Sequence, residues 1–310
     1  MSTITFSCLD WAAVVELVGR HIREIGQHQG PAQSLLDHVL SSQGKMLRAY
    51  LVFLTSSLWE SASLPVVLDV AAGVELVHLA SLIHDDIVDE GERRRGRVSA
   101  HRAFGVKEAV LLGDYLFASA FNLFARADAG VIAVMSRAIG EMSLGEINEL
   151  LQPGRSLTEY WRYIRRKTAS FLGACCESGA VLARQGLNHR TVLRQFGEAV
   201  GMAFQLTDDV LDYRGSPERL GKSVGKDFAL QAWTLPIILA VSRGLLDHSW
   251  VHLSYGQVQA ILTEGGILDE AWEMALEWLE RAQTLLLQLP KGSAARQLEG
   301  LLQTLALREA

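Results

Sequence analysis

Two clusters of aspartates are the residues of this chain best suited to chemistry. They share the pattern DDxxD, at residues 85–89 and 208–212, and each follows an apolar stretch. Their carboxylates belong to Asp85, Asp86, Asp89, Asp208, Asp209 and Asp212. Residues four apart share one face of a helix, so the first and last aspartate of each cluster lie together. Carboxylates this close repel each other unless a cation lies between them, and their oxygens are ligands that Mg²⁺ prefers.

A solvated helix end is the alternative interpretation of each cluster. Aspartate at the C-terminal end of a helix opposes the helix dipole, so a basic residue would be more ordinary there. One cluster alone is a weak sign of function, whereas two clusters, each after an apolar helix, favour metal binding. The sequence therefore predicts Mg²⁺ sites with Asp85, Asp89 and Asp208 as ligands.

Basic residues occur where they could bind phosphate groups. Arginine binds phosphate oxygens in pairs, and lysine supplies a point charge. The candidates are Lys45 and Arg48 at the start of a predicted helix, Arg94 and Arg95 after the first aspartate cluster, Lys167 beside Thr168, and Lys222 and Lys226 in a glycine-rich loop. Each alone is typical of a solvated surface. Together with two acidic metal sites they indicate diphosphate chemistry.

Two further polar residues share faces with the clusters. His78 lies seven residues, about two helical turns, before Asp85. Gln205 lies three residues before Asp208. Zinc is not expected at His78, since no cysteine or second histidine stands at the spacing of a zinc site.

Apolar residues with helical spacing extend over nearly the whole chain. They make up 49% of the 310 residues, and only six residues are proline, which favours helices over a many-stranded fold. The predicted helices cover 9–26, 31–41, 45–58, 64–90, 105–127, 129–151, 156–186, 190–213, 233–246, 254–264, 267–289 and 293–308. No convincing alternating strand or linker is found, so residues 1–310 are predicted to form one all-α domain.

Charge and composition exclude several classes of protein. A net charge of −6 argues against a nucleic-acid binder, which would usually be basic. No run of about 18 apolar residues predicts a transmembrane helix, and no secretory signal is visible. The three cysteines, Cys8, Cys175 and Cys176, form a poor disulfide framework. We therefore expect a cytoplasmic protein.

The chain resembles a trans-type polyprenyl diphosphate synthase over residues 43–241. The resemblance rests on both aspartate clusters, on Arg94-Arg95-Gly96 after the first and on Phe204-Gln205-Leu206-Thr207 before the second. Further matches are Gly44-Lys45 with Arg48, Gly113-Asp114-Tyr115, Lys167-Thr168 and the loop Gly221-Lys222-Ser223-Val224-Gly225-Lys226-Asp227. These motifs occur in the family's order and at suitable distances, which makes the resemblance specific.

The resemblance implies the isoprenoid synthase fold, a helical barrel around a deep central cavity, in a homodimer. It implies that the six aspartates and Lys167 are catalytic, and that about three Mg²⁺ ions bind with an allylic diphosphate. Residues expected at the allylic substrate are Arg94, Lys167, Thr168, Gln205 and Lys222. Residues expected at isopentenyl diphosphate are Lys45, Arg48, His78 and Arg95. One departure is Ala232, where the family commonly has a lysine, with Lys226 as an extra cation nearby.

The implied reaction is the head-to-tail condensation of these two diphosphates after Mg-assisted ionisation. Small residues below Asp85, namely Val77, Ala80 and Ser81, are expected to leave room for a long chain, and Phe117 is a candidate for the floor of the cavity. We therefore expect an all-trans product of C25 or longer, with C30–C45 favoured. The alternatives are a geranylgeranyl diphosphate synthase, a non-catalytic partner subunit of a heteromeric synthase, and a terpene cyclase.

Overall fold

A computed structural model describes residues 11–27, 30–41, 44–59, 61–94, 96–151, 155–214 and 225–307. Helices dominate these residues. Among them, strands occur only as one antiparallel ribbon, in which β1 (Arg93–Arg94) pairs with β2 (Arg97–Val98). The all-α prediction is confirmed.

The helices of the first half of the chain are α1 (Trp11–Ile25), α2 (Gln33–Leu40), α3 (Leu47–Ser57), α4 (Leu64–Val88), α5 (Ala100–Phe104), α6 (Val106–Ala127) and α7 (Ala129–Leu151). Those that follow are α8 (Leu157–Ile164), α9 (Ser170–Leu182), α10 (Leu187–Arg214), α11 (Lys226–Ala229), α12 (Leu235–Ser242), α13 (Tyr255–Glu264), α14 (Ile267–Leu286) and α15 (Ser293–Ala306). Short 3₁₀ turns cover Gly30–Ala32 and His248–His252.

The chain packs into two compact units. The first unit comprises Met1–Met135, Cys175–Arg190 and Gly292–Ala294. The second comprises Ser136–Ala174, Thr191–Lys291 and Ala295–Ala310. The first aspartate cluster lies in the first unit and the second cluster in the second unit. A single domain over residues 1–310 stays a prediction.

Helices α4 and α6 form the principal helix pair of the first unit. The fully buried ring of Phe124 on α6 packs where Gly73 has no side chain, and a Cβ at that position would overlap the ring. Farther along the pair, Gly113 on α6 leaves room in the same way for the imidazole of His84. Two glycines therefore set how closely these helices approach.

By length and composition alone, α4 and α6 would each be long and apolar enough to cross a membrane. Their packing explains this character. In the most apolar window of α4, 56% of the residues are buried inside the protein, and the main contacts of α4 are with α6 and α3. We interpret both as helices that form the core of the first unit.

The core of the second unit lies between α8, α10 and the helices from α12 to α14. Leu206, Val210 and Tyr213 of α10 are fully buried in it, together with Leu235 at the start of α12 and Trp250. This core fixes the helix that carries the second aspartate cluster.

The helix predicted over 156–186 is interrupted in the structure. A capping box starts α8, since the Ser156 hydroxyl accepts from the Glu159 amide and the Glu159 carboxylate accepts from the Ser156 amide. A π-helical turn at Arg165–Ala169 then separates α8 from α9. Periodicity could not reveal this turn, because one extra residue barely disturbs a helical pattern.

Candidate active site

The first aspartate cluster lies where α4 ends. The amide of Asp89 donates to the carbonyl of Asp85, and the amide of Gly91 donates to the carbonyl of Asp86, both at 2.8 Å. Asp89 caps the helix with helical backbone angles and is exposed, while Asp85 is half-buried one turn earlier. The predicted pairing of Asp85 with Asp89 on one side of the last turn therefore fits the structure.

The middle aspartate of this cluster, Asp86, forms an ion pair with Arg94. Asp86 is only 5% exposed, and its Oδ1 accepts from Nε and Nη2 of Arg94 at 2.9 and 2.5 Å. Arg94 lies on β1, and Gly96 at φ 79° allows the ribbon to turn. Arg94, expected at the allylic substrate, is thus held by the middle carboxylate of the first cluster. Arg95 lies outside the described residues.

Two predicted cations of the first unit, Lys45 and Arg48, lie at the start of α3. Glu75, one turn before His78 on α4, accepts a hydrogen bond from the Ala49 amide at 3.0 Å and so caps the start of α3. Arg48 is half-buried in that first turn of α3, whereas Lys45 just before it is exposed. Gly44 and Met46, the neighbours of Lys45, line one small cavity together with Glu75 and His78.

The residues expected to set product length differ in exposure. Ala80 and Val77 are fully buried, whereas Ser81 is half-buried and its hydroxyl donates to the His78 carbonyl at 2.8 Å. The half-buried ring of Phe117 has its centroid 5.8 Å from that of His84. The role of these four residues in product length stays a prediction.

The second aspartate cluster is organised around the buried Asp209. Its Oδ2 accepts from the Tyr160 hydroxyl at 2.6 Å and from the Leu235 amide at 3.2 Å. Its Oδ1 accepts from Nε2 of Gln205 at 2.9 Å, and the side-chain oxygen Oε1 of Gln205 accepts from the Thr168 hydroxyl at 3.0 Å. A chain of hydrogen bonds thus links Tyr160 on α8 to Thr168 through α10.

Burial governs the charge of Asp209. It raises the pKa of this carboxyl to about 6, although hydrogen bonds from Tyr160, Gln205 and Leu235 act in the opposite direction. Nearby, burial together with the charges of Asp209 and Asp212 raises the pKa of Asp227 to about 7. This end of α10 is therefore a strongly acidic environment in which a divalent cation would be stabilised.

The carboxylate of Asp212 holds the start of α11. It accepts from the amides of Lys226 at 3.2 Å and Asp227 at 2.9 Å. The Asp212 carbonyl accepts from the Tyr255 hydroxyl at 2.8 Å and from the Gly225 amide at 3.1 Å. Gly225 has φ 73°, and a Cβ there would lie 3.0 Å from the Tyr255 ring. Lys222, just before this segment, lies outside the described residues.

The π-helical turn carries Lys167 and Thr168. The ammonium of Lys167 lies 2.5 Å from Oε2 of Glu146 on α7 and 5.5 Å from the centroid of the Tyr163 ring. The next residue, Thr168, contacts Gln205 as described. The turn therefore brings the predicted Lys167, Thr168 and Gln205 to the same part of the second unit.

Two glycines fix the position of the π-helical turn. A Cβ at Gly145 on α7 would lie 3.0 Å from Cβ of Arg166 and 3.2 Å from the amide nitrogen of Lys167. A Cβ at Gly201 on α10 would lie 2.6 Å from Cα of Ala169. Both helices thus approach the backbone of the turn more closely than any other residue type allows.

Comparison with known proteins decides the family. Residues 31–277 match the polyprenyl synthetase family. The chain belongs to this family. The family and enzyme class predicted from the motifs, a transferase of prenyl groups, are therefore confirmed.

Relatives of this polyprenyl synthetase cover most of its length. It is 32% identical over 309 residues to heptaprenyl diphosphate synthase component 2 of Geobacillus stearothermophilus, over 96% of this chain and 94% of that one. It is 34% identical over 235 residues to octaprenyl diphosphate synthase of Haemophilus influenzae, over 71% of each. A crystal structure of polyprenyl synthase from Caulobacter crescentus, complexed with calcium and isoprenyl diphosphate, matches with a TM-score of 0.88, 31% identity and 96% coverage of both chains. This confirms the isoprenoid synthase fold.

The donor groups of the synthetase fit Mg²⁺ held jointly with a ligand. Each unit separately carries carboxylate oxygens of the hard kind that Mg²⁺ prefers, on Asp85 and Asp89 in the first unit and on Asp208 and Asp212 in the second. Within the described part of the chain, no group of three or more His, Cys, Asp or Glu side chains could hold an ion by itself. Mg²⁺ usually keeps several water molecules and shares phosphate oxygens, so an incomplete protein shell is the expected form.

Three residues beside these sites were missed by sequence reasoning. They are Glu75, Glu146 and Tyr160, which contact the segments that carry Arg48, Lys167 and Asp209. The sequence holds no signal for them, because each reaches its partner from another helix.

Proposed function

We propose that this protein extends an allylic diphosphate by successive addition of isopentenyl diphosphate, giving an all-trans product of C25 or longer, with C30–C45 favoured. The observation that carries the proposal is the arrangement of the two aspartate clusters. In each, the first and last aspartates share one side of a helix end, and the middle one is anchored by the protein. Relatives named as heptaprenyl and octaprenyl diphosphate synthases support a medium or long product.

The aspartate clusters would hold Mg²⁺ through Asp85, Asp89 and Asp208, and Asp212 lies one helical turn after Asp208 on α10. Mg²⁺ bound together with the diphosphate would stabilise the negative charge that develops on the leaving group. The calcium and isoprenyl diphosphate in the Caulobacter crescentus structure support a divalent ion with a diphosphate in this fold. The number of ions, about three by resemblance, is part of the proposal.

The basic residues would orient the two substrates. Lys167 and Thr168 on the π-helical turn, with Gln205, would bind the allylic diphosphate, and Arg94 and Lys222 would add charge to it. Lys45, Arg48, His78 and Arg95 would bind isopentenyl diphosphate. Fixed cations that face developing phosphate charge lower the barrier to breaking the C1–O bond. The double bond of isopentenyl diphosphate then attacks C1, and a proton is lost.

The start of α11 offers a replacement for the lysine absent at position 232. The Ala232 amide donates to the Asp227 carbonyl at 2.9 Å, so the backbone here is held close to the second cluster. Lys226 lies in the same segment, and its charge partly opposes the rise in the pKa of Asp227. We infer that Lys226 supplies positive charge beside the second aspartate cluster.

Incorporation of labelled isopentenyl diphosphate onto farnesyl diphosphate tests the function. The purified protein with Mg²⁺ should form extended chains, and excess EDTA should abolish this. Asp85→Ala and Asp208→Ala should each lower kcat by at least about 10²-fold, the scale of losing one preorganised charge interaction. Full activity of both variants in EDTA would exclude the metal assignment.

A homodimer and a cytoplasmic location are further proposals. Exposed apolar residues support association: Val106 and Val110 lie one turn apart on α6, and Leu144, Ile147 and Leu151 form a stripe on α7. Exposed stripes of this kind commonly mark contacts between proteins. Sedimentation at micromolar concentration should show a mass near twice 34.1 kDa.

One component of a two-component synthase is the second candidate function. A relative named component 2, matched over 96% of this chain, favours it. The retention of all six aspartates argues that such a component would be catalytic. A pure protein that lacks activity alone, and gains it only with a second polypeptide, would establish this candidate.

A further inference from the structure

The ion pair between Glu146 and Lys167 differs from a neighbouring ion pair that joins α7 to the π-helical turn. The Lys167 and Glu146 side chains are 28% and 19% exposed, and their charged atoms lie 2.5 Å apart. In the neighbouring pair, Arg166 and Glu141 are 31% and 41% exposed and 3.1 Å apart. Glu146 is therefore more enclosed than Glu141 and lies closer to its partner on the turn.

Lys167 is held by a second group as well. Its ammonium interacts with the hydroxyl and the ring of Tyr163 on α8. Burial raises the pKa of the Tyr163 phenol, so the hydroxyl remains protonated at neutral pH. An ammonium has three N–H donors, so contacts with both Glu146 and Tyr163 restrict where the end of the Lys167 side chain lies.

The backbone beside Glu146 is fixed against the same turn. Gly145 precedes Glu146 on α7 and approaches the amide nitrogen of Lys167 so closely that a Cβ on this glycine would lie only 3.2 Å from that atom. The carboxylate therefore extends from a backbone that cannot move independently of Lys167.

We propose that Glu146 is a positioning residue for the allylic diphosphate, which acts by holding the ammonium of Lys167 in place before the ligand binds. The inference rests on the proposed function, since it takes Lys167 as a diphosphate ligand. A lysine side chain is long and flexible, and it loses conformational entropy when a ligand immobilises it. If Glu146 already holds the side chain in place, that loss of entropy no longer weakens ligand binding. Glu146 itself need not contact the substrate.

Titration calorimetry with farnesyl diphosphate and Mg²⁺, without isopentenyl diphosphate, tests the role of Glu146 directly. Glu146→Gln should weaken farnesyl diphosphate binding by about tenfold. The KM for isopentenyl diphosphate, measured in the elongation assay, should change by less than about twofold, since that substrate is assigned to other residues. Glu141→Gln is the matched control from the same helix and should leave both values within about twofold of wild type.

A double-mutant cycle separates positioning from a general structural effect. If Glu146 acts through Lys167, then Glu146→Gln should have no further effect on farnesyl diphosphate binding in a Lys167→Ala background. Glu146→Asp, which keeps the charge, should lie between Glu146→Gln and wild type. It also serves as the test variant if the Gln form does not fold.

Three results would overturn the proposal: unchanged binding by the Glu146 variants, tighter binding by Glu146→Gln, or an undiminished effect in the Lys167→Ala background. Tighter binding would mean that the carboxylate competes with the ligand for the lysine. Failure of the proposed function would look different, because the wild-type protein would then incorporate no isopentenyl diphosphate.

Discussion

Gly201→Ala tests whether activity requires the π-helical turn to stay where it is. A Cβ on Gly201 would lie 2.6 Å from Cα and 3.1 Å from Cβ of Ala169, while ordinary van der Waals contact begins at 3.4 Å. Both residues are buried. The contact involves backbone, so no side-chain rotation relieves it. The turn and α10 would have to separate by about 0.8 Å.

That displacement affects the residues assigned to the allylic diphosphate. Thr168 precedes Ala169, and Gln205 lies one turn beyond Gly201, so a hydrogen bond of 3.0 Å would lengthen to about 3.8 Å and break. Misplacing reactive groups by about 1 Å can lower a rate by about 10²-fold. We therefore expect kcat/KM to fall by about 10²-fold and stability to fall by about 1–3 kcal/mol.

The assay is the initial rate of isopentenyl diphosphate incorporation, with urea unfolding followed in parallel. Gly140→Ala is the matched control, because this exposed glycine of α7 has no atom within 4 Å of its added Cβ. It should leave the rate unchanged and stabilise the protein by about 0.5–1 kcal/mol. A folded Gly201→Ala protein with wild-type kcat/KM would refute the reasoning.

Three further predictions concern product length, stability and thiol reactivity. Ala80→Phe should shorten the longest product toward C15–C20 by filling space along the chain's path, and mass spectrometry showing unchanged products would count against it. Tyr160→Phe should lower the free energy of unfolding by about 1.5–3 kcal/mol, since the buried Asp209 loses a donor at 2.6 Å; equal urea midpoints would contradict this. Burial raises the pKa of the Cys175 and Cys176 thiols, so both should resist iodoacetamide at pH 8 until urea unfolds the chain. That experiment uses a variant with the third cysteine replaced by serine, and rapid labelling of the native protein would disprove it.

The sequence was informative where structure depends on local spacing. The helix predicted over 64–90 is observed as Leu64–Val88, because a proline near its start and a glycine after its end mark the boundaries. The pairing of Asp85 with Asp89 follows from the same helical geometry. These features depend only on residues close together in the chain.

Contacts between segments that are distant in the chain could not be predicted from the sequence. Glu146 precedes Lys167 on a different helix, and nothing in the residue pattern distinguishes it from the other acidic side chains of α7. The π-helical turn is equally hidden, because it depends on how closely Gly145 and Gly201 let their helices approach. Such contacts are decided by tertiary packing.

The two aspartate clusters show how these two kinds of information combine. Each residue of a helix is rotated by about 100° from the previous one, so the second aspartate of each cluster points away from the first. In the first unit that residue meets the guanidinium of Arg94, and in the second unit the equivalent Asp209 meets the hydroxyl of Tyr160. The partners differ in charge and come from different elements, yet both fix the helix end. We infer that the second carboxylate of each DDxxD pattern anchors its helix end, and that the first and last carboxylates are the ones assigned to the ion and its diphosphate. Asp212 shows that the two roles overlap, since it also accepts from the amides at the start of α11.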